Sequence, residues 1–160
     1  MASSLSGDTK DALTRELPSN GHCRDALLAG LALYGALPTQ DDMSVFVTQR
    51  AAAARLFWTL LQPDEKKRHP IQKKTGARLY RTPRYEIKIP LRLQPIPAKP
   101  AHKCDRVMEL RGAFLACGSL SAGAQGYHLE FVLSDELRAV RLGWMLRSTA
   151  RAPKEIERKR

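Results

Sequence analysis

The residues of this sequence with the clearest capacity for chemistry are nine basic side chains between positions 66 and 88. Ammonium and guanidinium groups neutralise phosphate, so a cluster of them is typical of a surface that binds nucleic acid. Phosphate contacts alone make binding salt-dependent and poorly sequence-specific. A solvated charged loop is the alternative interpretation. The predicted DNA-binding residues are Lys66, Lys67, Arg68, Lys73, Lys74, Arg78, Arg81, Arg84 and Lys88.

The composition of the whole chain supports the same class of partner. The 160 residues carry a formal net charge of +11 and a pI of about 10.0. Positions 64 to 100 hold eleven basic and three acidic residues, a net charge of +8. No apolar run approaches the ~20 residues of a membrane span, and no apolar secretory segment begins the chain. With three cysteines at no disulfide-framework spacing, we expect a cytoplasmic, nucleoid-associated protein without a membrane partner.

Histidine and cysteine occur together twice, as His22-Cys23 and as His102-x-Cys104. Four such side chains could in principle hold zinc. The spacing matches no zinc module, and adjacent ligands are awkward for tetrahedral geometry. The sequence therefore predicts no metal site and no cofactor.

Two similar segments organise the elements that must position these groups. Leu27–Gly35 and Leu110–Gly118 are both helical in composition, rich in small residues and closed by glycine. A β-like run and an amphipathic helix with a tryptophan, Trp58 or Trp144, follow each one. The terminal glycines are 83 residues apart. This order predicts a duplicated α/β unit whose two small-residue helices pack against each other.

Local patterns predict further elements. Residues 84 to 89 alternate, so a half-buried strand should turn Arg84, Glu86 and Lys88 outward. Residues 119 to 126 are predicted to form a turn, and Leu137, Val140 and Trp144 the buried stripe of the last helix. The matched placement of Trp58 and Trp144 favours paired core anchors over base-stacking platforms.

The helical segments resemble the LAGLIDADG helices of homing endonucleases. More closely, residues 109 to 121, followed by Gly126-Tyr127-His128-Leu129-Glu130, resemble the WhiA family of bacterial sporulation and cell-division regulators. This resemblance implies an α+β fold of two LAGLIDADG homing-endonuclease-like units with pseudo-twofold symmetry. We predict an N-terminal helix in 1–20, a first unit in 21–92, a proline-rich linker in 93–103, and an incomplete second unit in 104–160.

In the endonucleases, the penultimate residue of each helix is an acid, and the pair holds divalent ions that activate water. Tyr34 and Cys117 occupy those positions here, and neither is a credible Mg²⁺ ligand. The nearest acids along the helices, Asp25 and Glu109, lie roughly 12–14 Å away at 1.5 Å per residue. The resemblance therefore implies no catalytic residue, and we expect a protein that is not an enzyme.

Two alternatives stay open. Asp41 and Asp42 follow the first helix without a counterpart in the second copy, so an active Mg²⁺-dependent nuclease would have to use them. The other alternative is a protein-interaction module that contacts a sigma factor or other transcription machinery without binding DNA. WhiA-type proteins also carry a C-terminal helix-turn-helix, and this sequence ends before any such element. The sequence also ends before a second counterpart of the strand at 84–90, so we expect an exposed sheet edge or weak order in the second unit.

The endonuclease architecture also implies roles for the basic residues. Its sheets form a saddle over the DNA major groove. By this resemblance, Arg78, Arg81, Arg84 and Lys88 would line the saddle, and the lysines and arginine at 66–68, 73 and 74 would contact the DNA backbone from a hairpin loop.

Overall fold

The computed structural model of the protein describes residues 4–75, 82–90, 98–149, 153–154 and 156. Six helices and six strands alternate along it, which confirms the α+β class. In chain order they are α1 (Leu5–Leu13), α2 (Gly21–Gly35), β1 (Ala36–Pro38), β2 (Met43–Thr48), α3 (Ala51–Leu60), α4 (Pro63–Arg68), β3 (Gln72–Lys74), β4 (Arg84–Pro90), α5 (Lys103–Cys117), β5 (Gly118–Gly123), β6 (Gly126–Phe131) and α6 (Glu136–Thr149).

The first half of the chain builds an antiparallel four-stranded sheet in the order β1-β2-β4-β3. Phe46 pairs with Ile87 in its centre, and Lys74 pairs with Arg84 at its β3 edge. Directly paired residues share one face of a sheet, so Phe46, Ile87 and Ile89 lie together on an inner face. All three are buried.

The main core lies between this inner face and the helices α2 and α3. The rings of Phe46 and Phe57 stack with centroids 4.2 Å apart, and Leu27 and Leu31 of α2 pack into the same cluster. The apolar side of α3 buries Leu56 and Phe57 against the sheet and so fixes the position of the sheet relative to this helix. This agrees with the pattern that predicted the helix.

The helices α2 and α5 lie side by side and run in the same direction. Their first turns meet where the His22 ring contacts Asp105, and their last turns meet at Gly35 and Ala116. In the middle, Gly112 lies directly against the backbone of α2. The packing of the two small-residue helices is therefore confirmed.

Both halves of the chain share the order helix, strand, strand, helix, from α2 to α3 and from α5 to α6. The second pair of strands, β5 and β6, forms a separate two-stranded antiparallel sheet. A pseudo-twofold relation between the halves stays a prediction.

The short helix α1 connects the two halves. The Arg50 guanidinium of the first half donates to Asp11 and to the carbonyl of Gly7. From the second half, Arg111 donates to the carbonyls of Leu13 and Glu16. The Arg111 contact satisfies the carbonyl of Leu13, the last residue of α1, which has no further helical turn to bond it.

Three predictions about local structure are wrong. Residues 119 to 126 form strand β5 and a tight turn, which Gly126 allows by adopting a φ of 109°. Trp58 is 36% exposed, whereas Trp144 is partly buried against a second core cluster, which includes Leu33, Ala113, Leu142 and Met145. On α6, Leu137 and Val140 are exposed, and the buried face holds Arg141, Leu142 and Met145. This orientation lets Arg141 reach the helix pair, an interaction that hydrophobic periodicity does not report.

Within the described residues, every helix is too short or too polar to cross a lipid bilayer.

Candidate functional site

The ends of the helix pair, where the resemblance to homing endonucleases would place acids, hold a phenol and a thiol. Tyr34 is 8% exposed, and burial raises the pKa of its hydroxyl, helped by the nearby Glu109 carboxylate. Burial also raises the pKa of the Cys117 thiol to about 11, against the opposing influence of Lys10. Both groups are therefore protonated at neutral pH. A neutral phenol and a neutral thiol are poor ligands for Mg²⁺, which prefers charged oxygen donors.

The acids nearest to these ends have other positions and partners. Asp25 is exposed near the start of α2. Glu109 is buried in the middle of α5, where its carboxylate accepts hydrogen bonds from Arg141 Nε at 2.6 Å and from Nη2 at 2.8 Å. This pairing neutralises the carboxylate inside the fold. Glu109 is thus a structural residue and is not available to a hydrated metal ion.

Asp41 and Asp42 lie in the connection between β1 and β2. The Asp41 carboxylate accepts a hydrogen bond from the Thr39 hydroxyl, which holds the pKa of that carboxyl below its usual range. Asp42 has a φ of 50°, in the left-handed region that aspartate tolerates in turns. These features belong to a tight turn. Thr39 and Asp42 account for the geometry of this connection without a metal ion.

Three of the predicted DNA-binding residues share the outer face of the first sheet. Arg84 and Lys88 alternate along β4, and Lys74 of β3 pairs directly with Arg84. All three are exposed. Glu86 lies between them on the same face, only 8% exposed, with its carboxylate 2.7 Å from Lys74 Nζ and 2.9 Å from Arg84 Nε. The alternation is confirmed, but Glu86 is largely buried beneath its cations and reduces the charge of the face.

A second group of predicted residues lies elsewhere. Lys66, Lys67 and Arg68 form the last turn of α4, so their expected place in a hairpin loop is wrong. Pro63 begins this helix and Asp64 and Glu65 follow in its first turn, a favourable order for a helix dipole. The Lys66 ammonium lies 5.3 Å from the centre of the Trp58 ring on α3, the helix that covers the inner face of the sheet. These cations are therefore separated from the outer face.

The remaining predicted residues do not extend that face. Lys73 is exposed on β3 but pairs with Tyr85, so it points to the inner side of the sheet edge. Arg78 and Arg81 lie outside the described residues. The structure therefore groups Lys74, Arg84 and Lys88 together, and we call these three residues with Glu86 the basic face.

The sequence pattern predicted no metal site, yet the structure brings four potential metal ligands together at the opposite end of the helix pair. His22, Cys23, Cys104 and Asp105 are brought together there, each offering one donor atom. The recurrence of His-Cys before each helix was the signal. Asp105, which takes part in place of His102, had no signal in the pattern.

The chain is similar to known proteins over most of its length. Residues 107–160 match the family of the WhiA LAGLIDADG-like domain. A probable cell division protein WhiA from Desulforudis audaxviator (strain MP104C) is 33% identical over 98% of this chain and 57% of its own length. A protein of the same name from Desulfitobacterium hafniense (strain Y51) is 31% identical over 89% of the chain and 52% of its own length. The chain thus spans just over half the length of these relatives.

Solved structures show the same fold. The crystal structure of the N-terminal LAGLIDADG domain of DUF199/WhiA covers 92% of this chain with a TM-score of 0.73 at 19% identity, and the match spans 75% of that domain. The full-length DUF199/WhiA structure from Thermatoga maritima covers 91% of this chain with a TM-score of 0.69 at 20% identity, across half of its own length. The helix pair and the sheet therefore belong to the LAGLIDADG fold.

Proposed function

We propose that this chain is a LAGLIDADG-like domain of the WhiA type and that it serves a bacterial regulator of cell division as a catalytically inactive, DNA-associated domain. The proposal is supported by the match of residues 107–160 to the WhiA LAGLIDADG-like domain and by the similarity of the chain to probable cell division proteins WhiA. The observation that carries the proposal is the pair of helix ends. Tyr34 and Cys117 stand where metal-binding carboxylates would be needed, and both are neutral at physiological pH. Transcription and sporulation are the related processes in which such a regulator would act.

The basic face supports the DNA-associated part of the proposal. Lys74, Arg84 and Lys88 are exposed on the same face of one sheet, where they could contact DNA phosphates. The chain also has a net charge of +11, which draws it toward a polyanion from any direction. No base-reading amide pattern accompanies these cations, so the expected binding is to the DNA backbone.

Replacing Lys88 by alanine should weaken binding to duplex DNA and lower the dependence of log K on log salt by about 0.9, one phosphate contact. The measurement is fluorescence anisotropy with labelled duplex DNA between 50 and 300 mM salt. In the reciprocal direction, Glu86→Gln should strengthen binding, since the amide no longer holds Lys74 and Arg84 by charge.

The matched control is Arg55→Ala, which removes one exposed positive charge from α3 on the other side of the sheet. An equal loss in the Lys88 and Arg55 variants would attribute binding to net charge and reject the basic face. Affinity that does not change with salt would reject phosphate binding altogether, because counterion release requires a slope.

The purified chain is also expected to leave plasmid DNA intact in Mg²⁺ or Mn²⁺. Supercoiled plasmid on an agarose gel provides the measurement, with a nuclease of known activity as the positive control. Metal-dependent nicking that disappears in Asp41→Ala or Asp42→Ala would contradict the proposed inactivity and assign the acid.

A second candidate function is protein binding, which is supported by exposed apolar side chains. Tyr127 and Leu129 on β6 and Leu137 and Val140 on α6 are 78%, 48%, 69% and 58% exposed. A sigma factor or another part of the transcription machinery is the partner that we propose for this surface. A DNA anisotropy signal that is absent even at low salt would favour this candidate over the first.

A further inference from the structure

Four potential metal ligands converge at the start of the helix pair. His22 and Cys23 come from the first turn of α2, and Cys104 and Asp105 from the first turn of α5. One donor atom from each residue lies within 4.8 Å of the other three. The two segments are about 80 residues apart in the sequence, so only the parallel packing of the helices brings them together.

We propose that His22, Cys23, Cys104 and Asp105 form a zinc site that joins the two halves of the domain. Imidazole, two thiolates and a carboxylate are all ordinary zinc ligands, and four protein ligands complete a tetrahedron. This composition belongs to the closed, structural type of site, because no position remains for a reacting water. The inference is independent of DNA binding.

The distances between donor atoms fit a zinc ion after a small adjustment. Zinc bond lengths of about 2.0–2.3 Å place tetrahedral ligands about 3.3–3.8 Å apart. Cys23 Sγ lies 3.7 Å from His22 Nδ1, and Cys104 Sγ lies 3.9 Å from the Asp105 carboxylate. The widest separation of 4.8 Å must close by about 1 Å, and the 2.6 Å hydrogen bond between His22 and Asp105 must open. Rotations about side-chain bonds provide movements of this size.

The charge of the site agrees with its place in the fold. Zinc with two thiolates, one carboxylate and a neutral imidazole has a net charge of −1. The first turns of α2 and α5 both present unpaired backbone N–H groups and the positive ends of helix dipoles, which favour a negative group. A bare cation would be disfavoured there, whereas the complete zinc–ligand complex is stabilised.

The helices also remove the objection to adjacent ligands. Consecutive residues on a helix point in directions that differ by roughly 100°. Two neighbouring side chains in a first turn can therefore both reach an ion that lies beside the helix, each from its own direction. Each helix supplies two such neighbours, and the ion would lie between them. The His102 ring lies 5.6 Å from the His22 ring and provides a further nitrogen donor at the edge of the site.

Two of the four ligands are largely buried, which favours stronger zinc binding than at a fully exposed cluster. Cys23 is 7% exposed, and the Asp105 side chain is 13% exposed. His22 and Cys104 are exposed, so an ion can enter from solvent. Because its ligands come from both helices, zinc would bind the folded state and not the unfolded chain, and it would therefore stabilise the packing of α2 against α5.

The test is titration of the reduced, metal-free chain with Co²⁺, followed by Zn²⁺. We expect one equivalent of cobalt per chain, with the visible absorption of tetrahedral Co²⁺ and the ultraviolet band of thiolate coordination. Stoichiometric zinc should abolish both bands and raise the melting temperature. Absence of these bands under reducing conditions would overturn the proposal.

Two cysteine variants make the test specific. Cys104→Ser replaces an exposed thiol and should weaken zinc binding by more than the roughly 100-fold that loss of an outer-shell partner costs. Cys117→Ala, at the other end of α5, should bind zinc as the original chain does. Equal binding by both variants would overturn the site. A Cys23–Cys104 disulfide in the oxidised chain, together with no cobalt binding in the reduced chain, would also overturn it in favour of a redox pair.

Discussion

Replacement of Arg141 by methionine is expected to lower the free energy of unfolding by about 3–5 kcal/mol, the largest effect of any single substitution considered for this chain. The Arg141 and Glu109 side chains are 8% and 2% exposed and share two hydrogen bonds of 2.6 and 2.8 Å. Methionine retains much of the apolar volume of arginine but no charge. Glu109 would remain buried in the helix pair as an uncompensated carboxylate, which is the costly part of the change. Urea denaturation followed by circular dichroism measures the loss.

The same helix supplies the matched control. Arg138 pairs with Asp135 at 3.3 Å, and these side chains are 28% and 39% exposed. Arg138→Met should therefore cost less than about 1 kcal/mol. A double variant, Glu109→Leu with Arg141→Met, should be more stable than Arg141→Met alone, since no unpaired charge remains. Equal losses in the Arg141 and Arg138 variants would contradict a structural role for the buried pair.

The second large effect is expected from Gly112→Ala, which should destabilise the domain by about 2 kcal/mol or more. A Cβ atom at position 112 would lie 2.6 Å from the Leu31 nitrogen and 2.7 Å from the Leu27 oxygen. Both atoms belong to the backbone of α2, so relief requires the two helices to separate. Alanine gains about 1 kcal/mol in helix propensity over glycine. Overpacking typically costs about 1–3 kcal/mol and occasionally more. A clash with two backbone atoms lies at or above the upper end of that range, so about 2 kcal/mol or more remains after the gain.

Gly21→Ala is the control for this substitution. Gly21 begins α2, and a Cβ atom there would meet nothing within 4 Å. The free energy of unfolding of the Gly21→Ala variant should differ from that of the original chain by less than about 0.5 kcal/mol. Thermal and urea unfolding of both variants provide the comparison. If Gly112→Ala is as stable as the original chain, the close contact of α2 and α5 in the structure is wrong.

The sequence predicted the regular elements well where one side of an element faces the core. The alternation of Tyr85, Ile87 and Ile89 identified β4, and the period of Leu56 and Phe57 identified α3. In both cases, one face of the element is buried in the same apolar core, so the period of the pattern reports it directly. The small residues of α2 and α5 likewise indicated a close helix contact, which the structure confirms.

Prediction failed where a contact with a charged side chain, and not apolar packing, decides how a helix residue is buried or covered. Arg141 turns α6 toward Glu109, and the apolar residues Leu137 and Val140 are left exposed as a result. Trp58 occupies the same place in the pattern as Trp144, but it is 36% exposed, with the Lys66 ammonium beside its ring. A pattern of apolar residues contains no information on which face meets a charged partner.

The candidate site also has features that the sequence predicted and features that it did not. The sequence revealed the cations and the unsuitable residues Tyr34 and Cys117, because both conclusions depend on residue type and position within one helix. The sequence did not predict which of the cations lie on the sheet and which on α4. It also did not predict that Glu86 lies buried among the cations of the sheet.

By itself, the sequence determined the elements, the positive charge and the chemistry that the helix ends lack, since each follows from residues close together in the chain. Only the tertiary structure decided which distant groups meet. The pairing of Glu109 with Arg141 and the meeting of His22, Cys23, Cys104 and Asp105 both depend on how whole helices pack. That packing is set by many contacts together, so no local pattern encodes it.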